Sequence, residues 1–324
     1  MFCQNSVSIV SMYKKAFARN EKNVEHVKNS SKGGYSKRPV ENGKPSMLGD
    51  THMKKVHKGS LRPNGKRTQV APVTSWGGVA EWYDSHLAQD TYHEKVIMPR
   101  LFRMIGDIER KDILDLACGQ GHISRVLMKG GARVTGVDIS PELITFAKIK
   151  NDEEKVNVTY FASPSHKLEM LKDESRDTII CVLAIQNIEK VEETFAECHR
   201  VLRTGGRLFI VMNHPSFRVP QASGWGYDEV TDVQYRRVDQ YLSEAKVKID
   251  MTPGKTQGKE YTVSFHRPLQ YYSKFLEKHN FAITRIEEWE SHKKSGKGPR
   301  QRAEDKARKE IPLFLALEVR KLVD

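Results

Sequence analysis

The chain has 324 residues, enough for one large domain or two small ones. Its hydrophobic content of 38% is low, and no apolar run approaches the roughly 20 residues of a helical membrane span. The formal charge of +13 is concentrated at one end: residues 1–72 hold 15 Lys/Arg against 4 Asp/Glu, leaving the other 252 residues near +2.

Residues 1–72 are predicted to be a basic, disordered arm, because they are rich in Lys, Asn, Ser and Gly and lack apolar periodicity. Such an arm serves as a solubilising tail or as a sequence-independent contact to nucleic-acid phosphates. Residues 1–20 also hold Lys14, Lys15 and Arg19 without an acid, so organelle targeting is the alternative to a cytoplasmic location. Nothing resembles a secretory signal. The four cysteines, Cys3, Cys118, Cys181 and Cys198, form no C-x-x-C pair, and their spacing suggests neither a disulfide framework nor a metal site.

The folded part is expected to run from 73 to 324. Residues 76–106 open it with Trp76, Trp82 and Tyr83 and a helix through about Ile105. Strand-like runs follow at Ile113–Leu116 and Arg133–Asp138, then at 156–161, 177–183 and 207–212. Helical patterns separate them, from His122 to Lys129, from Ser140-Pro141 to about Lys150, and over Val191–Leu202. Alternation of this kind predicts an α/β fold: a doubly wound, mostly parallel sheet of seven strands, Rossmann-like. After the fifth strand the rhythm breaks. Residues 213–266, with Trp225, Tyr227, Tyr235 and Tyr241 and strand-like runs at 233–241 and 245–251, are expected to form a lid inserted over the sheet's carboxyl edge. A helix at 269–279 and strands at 282–289 and 314–321 complete the domain, with a basic segment at 292–310 that holds 8 Lys/Arg against 3 acids.

Chemistry concentrates in Asp115-Leu-Ala-Cys-Gly-Gln-Gly121, between the first strand and the first sheet helix. A glycine turn there lets backbone N–H groups approach a ligand. Asp138, at the end of the next strand, suits two ribose hydroxyls. A dinucleotide would bring its pyrophosphate beside Asp115, which repels it, and Ser124 stands where the third small residue of a dinucleotide turn belongs. A carboxylate in that place suits a cationic ligand end, such as the ammonium and sulfonium of S-adenosylmethionine. Cys118 is expected to be a small residue lining the site, not a nucleophile.

These residues resemble motif I of the class I S-adenosylmethionine-dependent methyltransferases. From Ser75 to Val323 the chain is similar to the type-11, ubiquinone/menaquinone-methyltransferase-like group. A narrower likeness to bacterial members rests on Ser75-Trp-Gly-Gly-Val-Ala-Glu-Trp-Tyr-Asp84, Asn213-His-Pro-Ser-Phe-Arg218, Phe265-His-Arg-Pro-Leu269 and Arg308-Lys-Glu-Ile-Pro-Leu-Phe314. The resemblance implies a cofactor site built from Asp115, Ala117, Cys118, Gly119, Gln120, Gly121, Asp138 and Ile139. Tyr83 would close over it, with Val182 and Leu183 on the methionine side. Pro164 stands where relatives often place an acid against the adenine amino group, and Ser163 or Ser165 would replace it.

Methyl transfer is an in-line displacement, so alignment is the main task, and a general base helps only within hydrogen-bond reach. His214 is the candidate base, with bonding to the lid backbone as its alternative role. Gln186 and Asn187 are expected either to orient the acceptor or to cap a helix. Trp225 is expected to stack on a flat acceptor. His266 and Arg267 would bind an anionic group of the substrate or pair with Glu287 or Glu288. Ala184-Ile-Gln-Asn-Ile188 is not the Asn/Asp-Pro-Pro-aromatic sequence of base amino methylation, no cysteine follows a proline, and the carboxylate set of metal-dependent catechol methylation is missing. A small-molecule acceptor under the lid is expected first. The alternatives are an RNA- or ribosome-associated enzyme docked through 1–72 and 292–310, and an inactive cofactor-binding protein.

Overall fold

Strand periodicity explains the architecture most directly. In Leu202–Asn213, Phe209 and Val211 enter one apolar cluster and Leu208, Ile210 and Met212 the other. In Phe314–Lys321, Phe314 and Ala316 face the first cluster and Leu315, Leu317 and Val319 the second. Side chains alternate across a strand, so a sheet covered on both sides needs apolar residues at successive positions. The computed structural model describes residues 92–250 and 261–323, all within one compact unit of the chain. The basic arm at 1–72 and Tyr83 lie outside the described residues.

Seven strands form the main sheet: β1 Asp112–Leu116, β2 Arg133–Asp138, β3 Thr159–Ala162, β4 Arg176–Val182, β5 Leu202–Asn213, β10 Phe281–Trp289 and β11 Phe314–Lys321. Their order is β3-β2-β1-β4-β5-β11-β10. The first five are parallel, and β11 runs antiparallel to both β5 and β10. On one face lie α1 Met98–Ile105, α2 His122–Lys129 and α3 Pro141–Glu154; on the other lie α4 Val191–Val201 and α5 Leu269–Lys278. The chain crosses from one face to the other between β1 and β4, the switch point at which open α/β sheets bind ligands.

Local chemistry sets the element ends. The Ser140 hydroxyl accepts the Leu143 N–H at 3.2 Å and Pro141 occupies the first helical turn, as the sequence predicts. Gly131, at φ +95°, ends α2 and returns the chain toward β2. The strand expected at 207–212 begins earlier, at Leu202, and takes Thr204-Gly-Gly206 into β5, whose pairing with β4 shifts register between Arg176 and Thr178. A second difference is α6, Gln301–Glu310, a helix within the basic segment at 292–310. Its apolar side is only Ala303 and Ala307, too sparse to register as a stripe.

The insertion after β5 is two antiparallel ribbons rather than one unit. The first pairs β6 Ser223–Asp228 with β7 Val233–Val238, and the second pairs β8 Ala245–Asp250 with β9 Tyr261–His266. Glycines at 224 and 226 hide β6 from a period-two reading, because they leave the outer face of the strand without side chains.

Candidate active site

Asp115 stands on β1, on the same sheet face as Ile113 and beneath α2. Its carboxylate accepts the Ser124 hydroxyl at 2.5 Å. Ser124 therefore fills the third small position of the turn for a reason: it orients the acid. Burial, with Asp138 nearby, pushes the Asp115 carboxyl up to about 7. Asp138 ends β2. One of its oxygens accepts the Gly119 N–H and the other the Ser140 N–H, each at 2.9 Å. Burial raises its pKa, while those N–H groups act in the opposite direction. The second acid thus ties the glycine turn to the next strand and leaves lone pairs free for a diol.

Two glycines are required here. Gly119, at φ +56°, has nothing within 4 Å of where a Cβ would stand, so its open side is available to a ligand. Gly121, at φ +75°, lies against the Tyr160 ring, whose hydroxyl would meet a Cβ at 2.1 Å. Two non-glycine residues also take left-handed backbone at the cleft wall: Ala117 at φ +58° after β1, and Leu183 at φ +53° after β4. Strained positions of this kind cluster at binding sites. Both strands turn sharply there and expose backbone to the same space.

That space is a cleft of about 540 Å³, lined by Ala117, Gly119, Asp138, Ile139, Leu143, Val182, Leu183, Ala184, Asn187 and Ile188. Ile139, an apolar side chain left 60% exposed, forms a shelf beside Asp138. A second hollow shares Ala117, Gly119 and Val182 and adds His93, Asp115, Cys118, Gln120, His122 and Ile123. The structure therefore brings together every expected cofactor residue it describes except Gly121 and Ser163. Gly121 sits behind the turn, against Tyr160. The Ser163 N–H donates to the Asp138 carbonyl at 2.8 Å, and its hydroxyl donates to Lys167. The Cys118 thiol is held protonated by burial and by Asp115 and Asp138, which suits a lining residue.

His93 and His122 were not singled out by the sequence. His93 lies in a π-helical turn, His93–Ile97, that precedes α1, and nothing in the local sequence marks that turn as part of the site. His122 begins α2; burial, then Arg125 and His93, lower its pKa to about 4, so it lines the hollow as a neutral imidazole.

The expected acceptor residues divide. Asn187 lines the cleft while its amide donates to the Val263 carbonyl on β9 at 3.0 Å. Gln186 donates to the Leu183 carbonyl at 2.7 Å, and its Oε1 is buried with no hydrogen-bond partner. His214 is not among the residues lining either hollow. Its Nε2–H donates to Glu288 at 2.7 Å and its Nδ1 accepts the Ser216 N–H at 3.2 Å, so both ring nitrogens anchor the turn after β5. His266 donates to the Tyr241 carbonyl at 2.8 Å. Arg267 donates to the carbonyls of Ile188 and Glu189 and stacks on Phe265 and Tyr271. Neither residue pairs with Glu287 or Glu288; together they fasten the second ribbon to the loop after β4. Trp225 lies on β6 opposite Arg236, away from the cleft lining.

Residues 114–210 match the Methyltransferase domain family known as type 11. Two ubiquinone biosynthesis O-methyltransferases are similar to part of the chain. That of Coxiella burnetii is 33% identical over 113 residues, 34% of this chain and 47% of that protein. That of Xanthomonas oryzae pv. oryzae is 30% identical over 104 residues, 32% of this chain and 44% of that protein. The chain thus spans about half the length of the curated relatives it matches. Among solved structures, an S-adenosylmethionine-dependent methyltransferase from Mesorhizobium loti is 26% identical, with a TM-score of 0.54 over 68% of this chain and 96% of that one. A Listeria monocytogenes structure, 23% identical with a TM-score of 0.54 over 72% of this chain and 98% of that one, shares the fold. Sheet order and these matches show the fold of class I S-adenosylmethionine-dependent methyltransferases, with a methyltransferase domain over residues 114–210. Within that class the chain carries the type-11 methyltransferase domain, whose cofactor is S-adenosylmethionine. The residues present fit that cofactor: a buried acid for a cationic end, a backbone-braced acid for a diol, and an apolar shelf between them and solvent.

Proposed function

We propose that the protein transfers a methyl group from S-adenosylmethionine to a small-molecule acceptor held over the carboxyl ends of β4 and β5. The observation that carries this reading is the arrangement of Asp115, Gly119 and Asp138 around one cleft that extends to Asn187 and Ile188. When bound, the cofactor supplies an electrophilic methyl on a sulfonium, and the leaving group is neutral.

The chain's own residues bind, orient and exclude water. Asp115 neutralises the cofactor's ammonium end, and Asp138 takes the ribose hydroxyls while its backbone partners keep it fixed. Asn187, the polar side chain in the cleft wall beside Ile188, orients the acceptor. The second ribbon, whose Val263 carbonyl accepts the Asn187 amide at the cleft wall, serves as a lid that removes water from the displacement. The ubiquinone biosynthesis relatives, similar over about a third of this chain, support a small organic acceptor.

The test is incubation of the full-length protein, and of a form lacking residues 1–72, with fractionated cell extract and isotopically labelled S-adenosylmethionine. Label is expected in the small-molecule fraction with both forms and absent with Asp115→Asn. Label confined to RNA, and lost with residues 1–72, would replace this reading with a nucleic-acid-directed enzyme.

A further inference from the structure

At the same sheet edge, beyond β5, three arginines converge that the cofactor site does not use. Arg218 follows the His214 turn, Arg236 lies on β7, and Arg308 lies in the last turn of α6. The Arg218 Nε is buried and has no hydrogen-bond partner. Burial lowers the Arg218 pKa, Arg236 and Arg308 lower it further, and only the Tyr92 phenol acts in the other direction. No carboxylate is among these influences. Arg236 donates to the Phe217 carbonyl at 2.8 Å and to the Ser223 hydroxyl at 2.7 Å. Arg308 donates to the Ser295 hydroxyl at 3.3 Å. These partners are neutral. The contrast with neighbouring arginines is sharp, since Arg237 pairs with Asp239 and Arg300 pairs with Glu229.

Three guanidinium groups remain charged at any pH a protein tolerates. Gathering them without a counter-charge is costly, and the cost grows with burial. Trp225 offsets part of it: the Arg218 and Arg236 guanidinium carbons lie over its ring, 5.7 and 5.2 Å from the centroid. An aromatic face attracts cations but does not neutralise them. A bound oxyanion does, and the planar guanidinium fork matches carboxylate and phosphate in two-point contact.

The Tyr92 phenol, which acts on Arg218, stands next in sequence to the second hollow: Tyr92 is followed directly by His93, which lines it. The Tyr92 ring meets Phe314 edge-on at 5.7 Å and packs in one apolar cluster with Cys118, Val182 and Leu183.

We propose that Arg218, Arg236 and Arg308 form an oxyanion subsite that holds a carboxylate or phosphate group of the methyl acceptor. Assigning the anion to the acceptor rests on the methyltransferase reading, whereas anion binding itself rests on the arginine cluster alone. The acceptor is then an anionic small molecule, anchored at the ribbon side and presenting its nucleophile toward the cleft.

The experiment titrates the full-length protein with inorganic phosphate, with benzoate and with neutral benzamide, and separately with S-adenosylhomocysteine. Phosphate, benzoate or both are expected to bind and benzamide is not; whichever binds more tightly identifies the kind of oxyanion. Arg218→Gln and Arg236→Gln are each expected to weaken that binding by about tenfold or more, corresponding to about 1.4 kcal/mol. Neither should alter S-adenosylhomocysteine affinity, which also reports that the variant is folded. Should Arg218→Gln fail to fold, Arg236→Gln decides alone. Oxyanion affinity unchanged in the folded variants, or no greater than that for benzamide in the wild type, overturns the subsite. Loss of S-adenosylhomocysteine binding in the wild type would instead refute the methyltransferase reading and leave the anion result standing.

Discussion

Asp115 shows how much one residue carries. In an unfolded chain an aspartate titrates near ~4, whereas burial holds this one at about 7. Its folded value is raised, so its stabilising contribution is complete below the unfolded value and is lost as pH rises through about 7. Asp115→Asn keeps an acceptor for Ser124 and removes the buried charge. It should be more stable than wild type at pH 8 by about 1–4 kcal/mol, and the difference should vanish near pH 4. Urea unfolding at both pH values checks this, and a pH-independent difference would contradict it. The same variant should lose S-adenosylhomocysteine binding, and wild-type affinity should rise between pH 6 and 8 as Asp115 ionises. Gly121 is the other decisive position. Gly121→Ala drives a Cβ into the Tyr160 ring and requires left-handed backbone, so stability should fall by more than about 2 kcal/mol. Thermal unfolding that shows an unchanged midpoint would argue against this packing. Both residues were legible in the sequence because Asp, Gly and Gly at fixed spacing have few other uses. The left-handed backbone of Ala117 and Leu183 was not, nor was the place of His93, since left-handed backbone at a non-glycine residue and a π-helical turn leave no compositional trace.

At the scale of elements, the sequence reads well where burial is two-sided or amphipathic and poorly where it is shallow. The parallel strands, α2, α4 and α5 follow their apolar patterns to within a few residues. In the insertion β7 and β8 fall on the strand-like runs expected at 233–241 and 245–251, whereas β6 escapes a period-two reading because Gly224 and Gly226 interrupt it, and α6 buries only two alanines. His266 and Arg267 illustrate the limit further. Charged residues in an insertion suggest a ligand, yet here their donors are spent on the carbonyls of Tyr241, Ile188 and Glu189. Arg267→Ala should therefore cost about 2–4 kcal/mol of stability, by leaving buried carbonyls unpaired. Hydrogen exchange should show greater opening at Ile188–Glu189 and in β9. If stability holds while only acceptor affinity falls, Arg267 binds substrate after all.

For the whole molecule, the central claim is that the β1–β2 edge is built for a nucleoside with a cationic end. Asp115 faces the cleft where a dinucleotide would place pyrophosphate, and Asp138 is braced for a ribose diol. Calorimetry of the full-length protein with S-adenosylhomocysteine and with NAD, repeated on Asp138→Ala, tests this most directly. Micromolar binding of S-adenosylhomocysteine is expected, weakened by about 1.5–3 kcal/mol in Asp138→Ala, with much weaker binding of NAD. Tight NAD binding without a response to S-adenosylhomocysteine, or an unchanged dissociation constant in folded Asp138→Ala, would contradict it.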